Sequence, residues 1–242
     1  MIYFISDIHL GIFERSEDKP REDFLLGFLR SIEMDCETLF IAGDLFDFWF
    51  DYKTVIPKFY YRTIALLHDF TQKGIKIEYI IGNHDFGHFD FFENELNVRV
   101  YKYDIERSLS GKRFYISHGD GKAKNDLGYK IIKAIMRYPL CQKLYRKIHP
   151  DCGIHLASTS SKKSRRYTDS KRYGKTEGME EFAQMKINEG FDYVIMGHRH
   201  RAIEINFGKG TYINLGEWMR KPHYAVFDGE ELKLVELNPQ FQ

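Results

Sequence analysis

Short apolar runs alternate with longer amphipathic stretches over the first hundred residues. Ile2–Ser6, Thr38–Ala42 and Lys76–Ile81 are rich in β-branched and aromatic side chains. Runs of that length and composition predict buried strands. Between them, Arg21–Glu33 places Phe24, Leu25, Phe28, Leu29 and Ile32 at helical spacing, which predicts a helix with one apolar face. Pro57–Lys73 predicts a second helix, closed by Gly74 in the usual stop position. This strand, polar loop, helix rhythm predicts an α/β layered domain.

Beyond Val98 the rhythm changes. Val98–Tyr103 and Arg113–Ser117 read as strands, with Ser110-Gly111-Lys112 as a turn between elements. Asn125–Lys147 reads as a basic amphipathic helix broken at Pro139, and Ser158–Ser164 as a polar loop. The helix puts Ile131, Ile132, Ile135, Met136, Leu140 and Leu144 among Lys130, Lys133, Arg137, Lys143 and Arg146. Glu177–Glu189 predicts a helix and Tyr193–Met196 a strand. Ala202–Asn206, Thr211–Asn214, His223–Phe227 and Leu232–Glu236 predict short strands separated by turns. With no internal repeat, the reading is a single domain over 1–242, carrying an inserted basic helical cap over 122–175.

Charge sharpens that boundary. The 242 residues carry 36 Lys+Arg against 35 Asp+Glu. Residues 121–175 alone hold fifteen Lys/Arg and three Asp/Glu, leaving twenty-one against thirty-two elsewhere. Too few acids are present for i,i+4 pairing to explain the block, so an anionic partner is expected there. A hydrophobic content of 43% and an aromatic content of 16% exclude disorder as the general state. Cys36, Cys141 and Cys152 form no CxxC pair; they read as buried apolar residues in a reducing compartment. The N-terminus carries Asp7 and His9 almost at once and is not read as a secretory leader. No apolar stretch reaches membrane-spanning length. The expectation is a cytoplasmic protein, peripheral on the inner face of the membrane if the basic cap lies on an anionic surface.

The chemistry lies at the ends of the apolar runs. Five polar clusters follow five of them: Asp7-Ile8-His9, Gly43-Asp44, Gly82-Asn83-His84-Asp85, Ser117-His118-Gly119-Asp120 and Gly197-His198-Arg199-His200. In open α/β sheets, sites form outside the carboxyl ends of the strands. Asp, His and Asn are oxygen and nitrogen ligands suited to divalent metals, and no cysteine is among them. One such cluster alone would be an ordinary turn; five in series point to a metal site.

The series DxH, GD, GNHD, HGD and GHxH, spread over residues 7–200, resembles the calcineurin-like metallophosphoesterases. The resemblance implies a four-layer αββα sandwich with a dinuclear metal centre at one edge. It implies Asp7, His9, Asp44 and His200 as ligands of one metal, with Asp44 bridging to a second held by Asn83, His118 and His198. Two divalent ions, Mn²⁺ by the chemistry of the donors, would activate a bridging hydroxide for in-line attack on phosphorus. His84 would protonate the leaving oxygen or hold the phosphoryl group, and Asp85 would orient its ring.

Within that family, GDLFDFWF (Gly43–Phe50) and HGDGKAKNDLGYK (His118–Lys130) resemble the UDP-2,3-diacylglucosamine pyrophosphohydrolases of lipid A synthesis. The resemblance implies hydrolysis at the α-phosphorus to UMP and 2,3-diacylglucosamine 1-phosphate. Asn83, His84, Asp126, Tyr129 and His198 would contact substrate, together with Ser161, Arg165 and Thr168 from the cap. One departure stands out: that group carries Arg at the place of His84, and Arg can stabilise charge but not donate a proton at neutral pH. Alternatives are a general phosphodiesterase or nucleotidase, a nuclease, and a non-catalytic metal-binding scaffold. A nucleic-acid partner is disfavoured by the Leu, Ile and Tyr interleaved with the cap's charges.

Overall fold

A computed structural model describes residues 1–122, 135, 138–156 and 178–238. The apolar runs are strands: β1 Ile2–Ile5, β2 Thr38–Ile41, β3 Lys76–Ile80, β4 Arg99–Tyr101, β5 Ile105–Leu109, β6 Lys112–Ile116, β7 Tyr193–Met196, β8 Ala202–Asn206, β9 Thr211–Leu215, β10 His223–Phe227 and β11 Leu232–Glu236. Helices α1 Arg15–Ile32, α2 Tyr61–Gln72, α3 Phe91–Asn94, α4 Pro139–Tyr145 and α5 Gly178–Asn188 connect or flank them.

Two sheets form. One has the order β11-β10-β1-β2-β3-β4 and the other β5-β6-β7-β9-β8. At the centre of the first, β1, β2 and β3 run parallel, as do β6, β7 and β9 in the second. Strand alternation sorts the side chains between layers. Phe4, Phe40, Ala42 and Ile80 face Phe114, Ile116, Ile195 and Ile213 between the sheets. The Phe4 ring lies 4.9 Å from Phe40 and 5.9 Å from Phe114. Tyr3, Ile5, Leu39, Ile41 and Tyr79 turn outward to pack with Leu25, Leu29, Leu67 and Phe70 of α1 and α2. On the far side Tyr115, Val194, Met196 and Tyr212 pack with Met179, Ala183 and Ile187 of α5. The architecture is the expected four-layer αββα sandwich, with β1 and β2 buried along their whole length because both faces are covered.

Three local expectations change. Helix α1 begins at Arg15, with Pro20 inside it, rather than at Arg21. Its charged first turns are held by tertiary contacts: Arg21 donates to the carbonyls of Ile8 and His9 and to Asp18, whose carboxylate accepts from the Gly11 N–H. Strand β5 had no sequence expectation; IERSL buries only Ile105 fully, and its antiparallel partner β6 places it. Of the cysteines only Cys36 is buried; Cys141 is half-buried and Cys152 exposed. Of the expected Asn125–Lys147 helix, the described part includes α4, which starts at Pro139, a favourable first position for proline.

Candidate metal centre

Parallel strands bring their carboxyl ends to one edge, and the five polar clusters follow β1, β2, β3, β6 and β7 there. The backbone turns sharply at each. Among the described residues, seven non-glycine positions have positive φ, and five of them are Asp7, His9, Asp44, His198 and His200. Left-handed backbone is costly for residues with a Cβ and persists where the surroundings impose it. Here the main chain does so: Asp7 N–H donates to Gly43 O at 3.1 Å and His9 N–H to Asp44 O at 3.0 Å. The His198 N–H donates to Asp7 Oδ2 at 2.9 Å, and the His84 N–H to Asp44 Oδ1 at 2.9 Å.

Glycine at two positions is a matter of space. A Cβ on Gly82 would collide with the Asp44 carboxylate and lie 2.7 Å from its backbone nitrogen. One on Gly43, at φ +88°, would lie 2.6 Å from His118 Nδ1 and 2.8 Å from Gly82 Cα.

The side chains converge in overlapping groups. Ligand atoms of Asp7, His9 and His200, of His9, Asp44 and His84, and of Asp7, Asp44 and His118 each lie within 4.8 Å of one another. His9 Nε2 is 3.1 Å from His200 Nε2, and His200 Nε2 is 3.2 Å from Asp7 Oδ1. Asp44 Oδ2 lies 3.7 Å from His9 Nε2 and 3.3 Å from His118 Nε2, between the two sides of the cluster. Asn83 Oδ1 is 3.0 Å from His118 Nε2 and 2.9 Å from His198 Nδ1. All seven sequence-derived ligand candidates therefore meet at one place.

The donor set suits divalent cations. Asp7 Oδ1 is buried and accepts no hydrogen bond, which is costly unless a cation faces it. Burial opposes ionisation of Asp7 and Asp44, yet the surrounding histidines hold both carboxylates below their usual range. Burial likewise opposes charge on His118, but the Asp44 carboxylate pulls its pKa up to about 10. The buried carboxylates thus demand positive charge nearby. Burial pushes His84 and His198 down to about 4, leaving neutral rings of the kind that bind metals.

The Asp85 carboxylate, expected to orient the His84 ring, makes backbone and hydroxyl contacts. It accepts from the N–H groups of Gly82 at 2.7 Å and Leu45 at 3.0 Å and from the Tyr79 hydroxyl, so it ties the Gly82–Asp85 turn to the loop after β2. Burial, then repulsion from Asp44, raises it to about 6. Asp47 reaches the His84 ring. Its carbonyl oxygen lies 3.1 Å from His84 Nδ1, and its Oδ1 lies 3.5 Å from both His84 Nδ1 and His9 Nδ1. The sequence signal was the second acid of GDLFD, three residues past Asp44, which gave no reason to prefer it over Asp85. Asp126, Tyr129, Ser161, Arg165 and Thr168 lie outside the described residues.

The family model described as calcineurin-like phosphoesterase matches residues 1–202. A UDP-2,3-diacylglucosamine hydrolase of Porphyromonas gingivalis is 31% identical, over 98% of this chain and 97% of its own. Another protein of that name, from Actinobacillus succinogenes, is 29% identical over 98% of this chain and 96% of its own. The solved structure of an archaeal phosphodiesterase aligns with 98% of this chain and 99% of its own, at 14% identity and a TM-score of 0.47.

Proposed function

Because the chain belongs to the calcineurin-like phosphoesterases, a family of metal-dependent hydrolases, we propose that it hydrolyses the diphosphate of UDP-2,3-diacylglucosamine to UMP and 2,3-diacylglucosamine 1-phosphate. The observation that carries the chemistry is the meeting of Asp7, His9 and His200 with Asp44 and His118 around shared carboxylate oxygens. The substrate is carried over from the nearly full-length relatives.

Asp7, His9, Asp44 and His200 would hold one divalent ion, and Asp44, Asn83, His118 and His198 a second. When bound, such a pair activates water and neutralises phosphoryl oxygens; Mn²⁺ fits the oxygen and nitrogen donors. The protein's own part is positioning. Main-chain bonds fix the strand ends, and Asp47 holds His84 by its Nδ1 side, beside the place where the phosphoryl group would be held. The lipid 1-phosphate departs as a phosphate monoester and needs no strong acid, so an Arg or a neutral His can serve at this position. His84 in place of Arg is also the observation that favours a second reading, an ordinary phosphodiester substrate.

The cap residues within the structure suit an amphipathic substrate or surface. Leu140, Leu144, Ile148 and Leu156 are exposed, and Lys143 and Lys147 lie among them. No helix among the described residues is long and apolar enough to cross a membrane; the proposed location is peripheral, with this face on anionic lipid.

The test is Mn²⁺-supported hydrolysis of UDP-2,3-diacylglucosamine in detergent micelles beside bis-p-nitrophenyl phosphate. UMP release with turnover far above that of the model diester is the expected result. Fast diester cleavage with the UDP-lipid untouched would reject the lipid substrate and keep the metal chemistry.

A further inference from the structure

We propose that a cavity beside His118 is a subsite for the nucleoside half of a nucleotide substrate; this rests on the reading above for the substrate class. The cavity has a volume of about 170 Å³. Pockets that enclose a whole drug-sized ligand run about 300–1,000 Å³, so this one takes part of a substrate. It is bounded by His118, Lys102, Tyr103, Asp104, Asp120 and Lys122, with Ile80 and Ile81 also in its wall. His118 belongs both to this wall and to the Asp7–Asp44 group, so the cavity adjoins the place where a phosphoryl group would be held.

The chemistry of the wall selects what enters. Lys122 is paired with Asp104, which also accepts from Ser117 Oγ at 2.7 Å and from the Tyr115 hydroxyl. Two ammonium groups and two carboxylates line the space, so its formal charges balance and it provides no excess for a second anion. Alternating donors and acceptors suit the hydroxyls of a ribose and the polar edge of a base. The Tyr103 side chain is 82% exposed, and its ring is available for a base to stack on.

Lys102 and Tyr103 are exposed, so their replacement removes no core contact. The experiment is calorimetric titration of UMP and of inorganic phosphate into the full-length, Mn²⁺-loaded protein. Wild type should bind UMP about tenfold tighter than phosphate, a margin within reach of one stacked base. In the Lys102→Ala/Tyr103→Ala double variant that advantage should fall to about twofold. Lys73→Ala, which removes a side chain paired with Glu33 at the C-terminal cap of α1, should keep the full advantage. Equal affinity for UMP and phosphate in wild type, or an advantage that survives the double variant, would overturn the subsite. A retained UMP advantage without UDP-lipid hydrolysis would overturn only the lipid substrate.

Discussion

The metal-centre edge and helix α4 are built to different tolerances. At the edge, Asp7, His9, Asp44, Asp85 and His118 are buried, and main-chain bonds between neighbouring strand ends fix each turn. Helix α4, by contrast, has no fully buried residue. Its hold on the core includes Tyr145, whose ring lies 4.6 Å from Phe50, and Arg146. The Arg146 guanidinium donates to Asp51 O at 2.9 Å and sits 4.4 Å from the Phe89 ring centroid. Metal ligands work only within tenths of an ångström, so they belong on packed strands. Recognition of a large amphipathic ligand needs accessible apolar and cationic surface, so a lightly attached element can provide it.

Breaking the edge should have the largest effect. Asp44→Ala removes the oxygen shared by both sides of the cluster, and two bound cations supply several kcal/mol of charge stabilisation. Phosphodiesterase turnover should therefore drop by on the order of 10³-fold or more, with bound metal, measured by elemental analysis, falling alongside. Turnover at the wild-type level would reject the dinuclear centre.

Adding one methyl group to each region separates their tolerances. Gly82→Ala drives a Cβ into Asp44 and its backbone; a shift of about 1 Å at a catalytic group can cost roughly 100-fold. Gly153→Ala meets the Tyr52 hydroxyl and comes 3.2 Å from that of Tyr145, both at the far ends of side chains. It should leave bound metal near wild type and change the UDP-lipid KM by only a fewfold. Matching metal loss in the two variants would erase the distinction drawn here.

A smaller, pH-dependent effect belongs to the core beside the edge. His88 is buried with neither ring nitrogen hydrogen-bonded. It packs on Trp49 at 5.5 Å, Tyr79 at 4.7 Å and Phe92 at 4.5 Å. Burial lowers its pKa from 6.5 to about 3. The unfolded chain therefore binds the extra proton first, and folding stability is lost as pH falls from about 6.5 toward 3. Between pH 7 and pH 5 that loss is about 2 kcal/mol. Urea titrations of His88→Phe should show a decline over this interval smaller than wild type by that amount. Parallel declines would mean that His88 is not neutral and buried in solution.

Much of the layer order was legible because both periodicities are local. Ile2–Ile5 and Leu39–Ile41 are apolar at every position, and that pattern belongs to strands covered on both faces. Strand β5 was not legible: Glu106, Arg107 and Ser108 take their place from pairing with β6, a partner that composition does not reveal. The start of α1 was hidden for the same reason. Pro20 argues locally for a boundary, while the buried contacts of Asp18 and Arg21 with the Ile8–Gly11 loop lie outside any helical pattern.

The sequence by itself determined the ligand types, their order along the chain and their attachment to strand ends, because each is written in a few adjacent residues. Only the tertiary structure decided which groups share an oxygen or a ring. It placed Asp47 against the His84 ring, put His118 on the wall of a polar cavity, and imposed left-handed backbone on five of the seven ligand candidates. Those relations join residues as far apart as Asp7 and His200. They are set by strand register and sheet packing, which bring carboxylates and imidazoles to the same few ångströms whatever their separation along the chain.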